Sequence, residues 1–307
     1  MGKGKFFWHL VAIIVIAVWG VTFVSTKVLL GAGLQPAQIF AIRFAMAYVG
    51  MWILCAARKG GATALWASSL KDELIFVFLG ITGGSLYFLT ENTALVHTQA
   101  CNVSFLVCSA PLLTTLLTLA VKKLFRGPLA EGLEPVSLNW KLILGTILCL
   151  AGMAIVVFDG ATLQFSPEGD LLAVGAALCW ALYSILMSQT TSKYGALLAT
   201  RKVFFWGLVT ILPFLIGNWP SPATLRQPEV VFNLLFLGLV ASLGCFVVWN
   251  KVMSRLGNVT STNYVYLNPL FTLVGATLLL GEKMTAISAV GSAAIILGVF
   301  LAGYKKR

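Results

Sequence analysis

Residues 79–95 read LGITGGSLYFLTENTAL and lead into VSFLVCSAPLLTTLL at 103–117; residues 237–253 read LGLVASLGCFVVWNKVM and lead into STNYVYLNPLFTLVG at 261–275. Adding 158 to the first set of numbers reaches the second without a gap. Leu79, Gly80, Phe88, Asn92, Val107, Pro111, Leu112 and Thr114 fall on Leu237, Gly238, Phe246, Asn250, Val265, Pro269, Leu270 and Thr272. Each copy has an apolar helix ending in an Asn, a short turn, and a second apolar helix broken by Pro. A repeat at this distance makes the chain two related halves, and the polar breaks mark where those halves are expected to meet.

Composition sets the class around that repeat. Of 307 residues, 59% are hydrophobic and 10% charged, whereas a soluble domain is near a quarter charged. Apolar runs of about 20 residues predict helices that cross a bilayer. Lipid forces the backbone to satisfy itself, as helices or a closed barrel, and unbroken apolar runs exclude the alternating pattern of a barrel. The fold class is therefore all-α, a polytopic membrane protein. Ten transmembrane helices are expected near 8–30, 36–57, 74–97, 100–121, 139–158, 169–190, 199–217, 230–252, 258–280 and 286–304. Short connections such as His97–Gln99 and Gly281–Thr285 force antiparallel neighbours. The long connection, 122–138, is rich in charge, Gly and Pro and reads as a solvated linker. Lys3 and Lys5 give a basic start, but the apolar run is too long for a cleaved signal, so the first span reads as retained. The glycosylation-like triplets at Asn102 and Asn258 lie at span edges and read as chance matches.

Basic residues set the orientation. Lys3, Lys5, Arg58, Lys59, Lys71, Lys122, Lys123, Arg126, Lys141, Lys193, Lys251, Arg255, Lys305, Lys306 and Arg307 all fall on one side of a ten-span chain. The opposite loops hold Asp159, Glu168, Asp170, Glu229 and Glu282, with Arg226 and Lys283 as their basic residues. The positive-inside rule then places both termini in the cytoplasm. The formal charge of +11 becomes topological, facing anionic lipid, and nucleic acid is not implied. Five spans per half, an odd number, makes the repeat inverted, with halves 1–158 and 159–307. That is a transporter architecture, whose site lies near the midplane between halves. Weaker echoes extend the division: Trp19 matches Trp180, Arg43 matches Arg201, and Gly145 and Gly152 match Gly291 and Gly298.

These residues carry a resemblance. Trp19-Gly20 with Lys27, Arg43-Phe44, Pro111, Pro269, and the run Pro269-Leu270-Phe271 through Leu280-Gly281-Glu282-Lys283-Met284-Thr285 resemble the EamA-type, ten-helix exporters of the drug/metabolite transporter superfamily. The likeness covers nearly the whole chain. Lys123-Leu124-Phe125-Arg126 departs from it where a Gly-Glu pair would sit. The resemblance implies a carrier of small metabolites, often amino acids, proton-linked or facilitated, exporting through a central cavity of a bacterial inner membrane. A homodimer is compatible with it.

The residues give their own candidates for the site. Pro111 and Pro269 lack an N–H and clash with the preceding turn, so the carbonyls near Val107 and Val265 lose their usual partners. Such groups persist in hydrocarbon only against protein or a water-filled cavity. A simple kink is the competing reading, and the paired Asn92 and Asn250 favour the cavity. Asn also joins membrane helices at roughly 1 kcal/mol, so packing competes for those two. Glu91 is the carboxylate inside a span, and its repeat equivalent is Trp249. An embedded charge usually faces an aqueous path or a partner. Glu91 reads equally as a substrate-amine partner or proton carrier, and as a hydrated residue at the outer interface. Lys27 is placed to snorkel outward and Arg43 sits deeper; either could hold a substrate carboxylate or pair with Glu91. Trp19 and Thr22 share a face of the first span, as do Trp180, Tyr183 and Met187 on the sixth. Tyr264, Tyr266 and Asn268 crowd the ninth. Interface belts enrich Trp and Tyr as well, so Trp19 and Trp180, well inside their spans, are the stronger cavity candidates.

Other chemistry finds little support. The six cysteines are dispersed with no C-x-x-C pair, pointing to neither disulfide nor zinc. No P-loop is present, and no cofactor is implied. The paired glycines of the weaker echoes read as close helix contacts. A secondary transporter fits best, moving small molecules such as amino acids or their derivatives by alternating access. A sugar-phosphate or nucleotide-sugar antiporter is the alternative, kept open by Lys27 with Arg43. A membrane-embedded enzyme would need a clustered nucleophile and base, or paired carboxylates. A structural or signalling protein would need soluble domains or long tails.

Overall fold

The computed structural model describes residues 3–57, 65–98, 100–124, 130, 132–133, 140–158, 166–280 and 286–303. Most of the expected linker 122–138 lies outside these residues, as do Arg58, Lys59, Asp159, the turn 281–285 and the closing basic residues 305–307. The side chain of Asn102 also lies outside them. Among the described residues every regular element is helical.

The helices are α1 (Lys3–Gly31), α2 (Pro36–Ala57), α3 (Leu70–Gly80), α4 (Leu86–His97), α5 (Ala100–Val107), α6 (Ala110–Leu124), α7 (Trp140–Phe158) and α8 (Pro167–Tyr194). They continue as α9 (Ala196–Ile211), α10 (Pro222–Leu225), α11 (Pro228–Leu235), α12 (Cys245–Leu256), α13 (Asn258–Thr262), α14 (Asn268–Leu280) and α15 (Ala286–Gly303). A π-helical segment, Ile81–Ser85, joins α3 to α4, and a second, Phe236–Gly244, joins α11 to α12. Counted through these joints, seven described helices are long and apolar enough to cross a membrane, among them Leu70–His97 and Pro228–Leu256. Trp140–Ile155 and Val290–Ala302 are shorter apolar helices. The stretch 258–280, expected as one span, is broken by a 3₁₀ turn at Asn263–Leu267. Pro269 accounts for the break, because its ring has no N–H to carry an α-helical ladder back to Val265.

Local signals fix several ends. Ser69 caps α3 through Asp72 N–H and Ser166 caps α8 through Gly169 N–H. Such oxygens satisfy amides that the first turn leaves orphaned. Gly195 (φ 79°) and Gly257 (φ 93°) turn the chain out of α8 and α12, in a region that a β-carbon disfavours.

Helices up to residue 158 pack mainly on those that follow it. α1 lies against α14 and α12, α2 against the second π segment, α3 against α9, and α4, α5 and α6 against α8. α7 and α15 pack along their lengths. A β-carbon on Gly145 would stand 2.5 Å from Ala302 N, and one on Gly152 would stand 2.6 Å from Gly291 O. In lipid, such close backbone contact supplies the dispersion that joins helices.

Candidate functional site

A cavity opens where α1, α2, α4, α5, α8, α12 and the Asn263–Asn268 stretch converge. Its walls include Trp19, Thr22, Arg43, Glu91, Trp180 and Asn268, all expected from the sequence. Phe23, Tyr87, Phe88, Val107, Phe246 and Val265 complete the lining. Val107 and Val265 are repeat equivalents lying four residues before Pro111 and Pro269. The cavity volume is about 30 Å³, enough for about two waters.

Six of the twelve lining residues carry rings, backed by further aromatics. Trp19 meets Trp180 edge-on at 5.4 Å, Phe246 at 5.3 Å and Trp249 at 5.2 Å between centroids. Phe44 joins Phe88 at 5.0 Å and Phe204 at 4.5 Å. Edge-to-face geometry lets the positive rim of one ring meet the negative face of another.

The charged groups are set into this wall. Arg43 is 2% exposed, and its Cζ lies 4.6 Å from the Phe88 ring centroid. Its Nε donates to Ser242 Oγ at 2.9 Å. Among the described residues this is the one hydrogen bond of a guanidinium that carries five donors. Glu91 is 8% exposed and accepts a 2.7 Å hydrogen bond from the Tyr87 hydroxyl. Tyr87 stands one helical turn before it, where i and i+4 side chains meet. No ion pair joins Arg43 to Glu91 among the described residues. Trp180 Nε1 and Asn268 Oδ1 are buried without a hydrogen-bond partner among the described residues. The cavity thus carries a cation, a carboxyl group, a spare donor and a spare acceptor on aromatic walls.

Other expected residues lie behind or away from this surface. The Tyr183 hydroxyl donates to Asn250 Oδ1 at 2.6 Å, and Asn250 Nδ2 donates to Thr200 Oγ1 at 2.7 Å. Trp249 is fully buried against Trp19. Asn92 Nδ2 donates to Pro36 O at 3.2 Å, tying α4 to the start of α2. Lys27 is exposed, and its ammonium donates to Leu95 O (2.5 Å) and Thr98 O (3.1 Å). That places a cation at the negative end of α4. Tyr264 pairs with His9 Nδ1 at 2.5 Å. Pro111 is buried near the start of α6, and Pro269 near the start of α14. The Val265 carbonyl, expected to be freed by Pro269, accepts from Asn268 N–H and from Cys108 Sγ at 3.2 Å. Neighbours therefore re-satisfy it.

The sequence reading missed Ser242, Tyr87 and Phe88. Tyr87 was findable by its spacing from Glu91. Ser242 gave no signal, since its repeat equivalent is Gly84. Among the described residues no group of three or more His, Cys, Asp or Glu could hold a metal ion.

Comparison with known proteins places this architecture. The EamA-like transporter family matches residues 6–127 and again 167–304. The chain belongs to that family, and with seven candidate spans it is a multi-pass membrane transporter. It is 28% identical to an uncharacterized transporter of Archaeoglobus fulgidus, over 97% of this chain and 98% of that one. It is 27% identical to a probable terminal-alkyne amino-acid exporter of Streptantibioticus cattleyicolor, over 98% and 94%. It is 23% identical to a probable amino-acid metabolite efflux pump of Escherichia coli, over 94% and 92%. A solved crystal structure superposes with a TM-score of 0.71 at 18% identity, covering 98% of this chain and 97% of that one, a likeness of fold.

Proposed function

We propose that the chain is a secondary transporter that exports small zwitterionic metabolites, amino acids or their derivatives, across a bacterial inner membrane. The observation that carries the reading is Arg43: a buried guanidinium with one hydrogen bond, sharing an aromatic cavity with the buried Glu91. A guanidinium edge matches a carboxylate in charge and shape, and a carboxylate in the same cavity matches an ammonium. One relative is named a probable terminal-alkyne amino-acid exporter and another a probable amino-acid metabolite efflux pump.

The same reading takes the chain as ten spans in two inverted halves, 1–158 and 159–307, with both termini cytoplasmic. The family's double match and the unbroken offset of 158 support it. Room for about two waters is too small for an amino acid, so transport requires the walls to part. Rocking of one half against the other, in alternating access, supplies that opening. Protons are the proposed coupling ion, with Glu91 the carrier. The anion-antiporter alternative draws less support, since Lys27 is exposed and engaged by Leu95 and Thr98.

The test is uptake and counterflow in proteoliposomes with labelled amino acids, comparing wild type with Glu91→Gln. Movement of an amino acid, with only its pH dependence lost in the variant, supports the reading. Exchange of phosphorylated or nucleotide compounds with no amino-acid movement sinks it.

A further inference from the structure

We propose that Ser242 is a positioning residue for the substrate's anionic group, acting through Arg43. The inference rests on the reading of Arg43 as the anion partner. Ser242 is fully buried in the second π-helical segment, Phe236–Gly244. It does not line the cavity. Its hydroxyl accepts the Arg43 Nε hydrogen at 2.9 Å, and the Phe88 ring supports the guanidinium from 4.6 Å. An arginine side chain has several freely rotating bonds, and a planar fork recognises an anion only when its orientation is held. Ser242 engages the one nitrogen on the stem side. Both Nη groups, with four N–H donors, are then left for a bidentate partner.

The π segment makes this arrangement. A π turn widens the helix by one residue, and such bulges recur at functional sites. Here two consecutive residues hold cavity groups from two different helices. Ala241 O accepts Trp19 Nε1 of α1 at 3.1 Å, while Ser242 holds Arg43 of α2. The first half has a π segment at the matching place, Ile81–Ser85, but the equivalent of Ser242 there is Gly84. Arg201, the echo of Arg43, lies over Trp52 at 4.1 Å instead. The anion-holding device is thus built on one side of the repeat.

Reconstituted wild type, Ser242→Ala and Ser242→Thr would be compared for counterflow of the amino acid that wild type carries. Inhibition by that amino acid and by its neutral carboxamide would be measured on each. Ser242→Ala is expected to raise KM about tenfold, the effect of losing a hydrogen bond to a charged group, with maximal rate within about twofold. Carboxamide inhibition should not move, and Ser242→Thr, which keeps the hydroxyl, should restore most of the affinity. Equal weakening toward both ligands would mark a general structural role and overturn the proposal, as would an unchanged KM in Ser242→Ala. If wild type carries phosphorylated anions instead, the amino-acid reading falls, and the same KM comparison with that anion decides Ser242. A wild type that carries neither anion class overturns both.

Discussion

Lys202 Nζ stands 2.8 Å from Glu73 Oε1, with the two side chains 3% and 10% exposed. Both groups are otherwise well satisfied. Glu73 also accepts from Ala67 N–H and Trp206 Nε1, each at 2.7 Å, and Lys202 donates to Leu65 O at 2.7 Å. The pair ties α3 and the stretch before it to α9, so its partners come from the two proposed halves. A buried pair is costly to form and more costly to break on one side. Glu73→Gln and Lys202→Met are each expected to lower stability in detergent by about 3 kcal/mol. The double variant should lose clearly less than the sum. Additive losses, read from thermal unfolding, would show that the two groups do not depend on each other.

Arg43 offers a second prediction, at the site itself. Arg43→Lys keeps the charge but removes the fork, and a point charge cannot keep the Ser242 bond and a bidentate anion together. Affinity for a carboxylate-bearing substrate should fall about 10- to 100-fold, and Arg43→Ala should abolish transport. A lysine variant with wild-type KM would show that the fork is not used.

Lys27 is the contrasting cation. Its amine closes the carbonyl end of α4 away from the cavity. Lys27→Met is expected to change transport KM by no more than about twofold and stability by under about 1 kcal/mol. A large rise in KM for anionic substrates alone would restore the two-cation antiporter reading.

Asn250 sits between Tyr183 and Thr200 with no access to solvent. Asn250→Leu strands the fully buried Tyr183 hydroxyl, while Thr200 loses one incoming bond and keeps its donation to Ala196 O. A loss of about 1–3 kcal/mol is expected, the desolvation penalty of one stranded group. Asn92→Ala should be milder, because among the described residues the Asn92 side chain makes a single hydrogen bond, to Pro36 O. Thermal melts of the two variants side by side make the comparison.

Gly298 tests the close crossing of α7 and α15. A β-carbon there would lie 2.6 Å from Gly145 O and 2.7 Å from Cys149 N. Both are fixed by their own helix, so Gly298→Val is expected to separate α7 from α15 at about 3 kcal/mol. Gly175→Ala, where a β-carbon meets nothing within 4 Å, should be neutral by the same assay.

Much of this was legible in the chain. Helices were, because burying apolar side chains and closing every backbone hydrogen bond are demands met within windows of about 20 residues. The double block at 79–119 and 237–277 marked the paired breaks, and both π joints and both Pro breaks fall in it or at its edge. Trp19 and Trp180, matched by position, meet at 5.4 Å in the cavity wall. What the sequence left open was direction. A helix apolar on most of its surface does not say which polar residue turns inward. For Glu91 and Lys27 the cavity and the outer interface both stay open in the sequence, yet one lines the cavity and the other reaches the carbonyl end of α4. Ser242 with Arg43, and Glu73 with Lys202, lie 199 and 129 residues apart. Only the crossing of distant helices brings such groups within hydrogen-bond distance. The sequence determined that the chain makes apolar helices with paired breaks, because that chemistry is local. Tertiary packing decided which few polar atoms face the cavity and which hold them there.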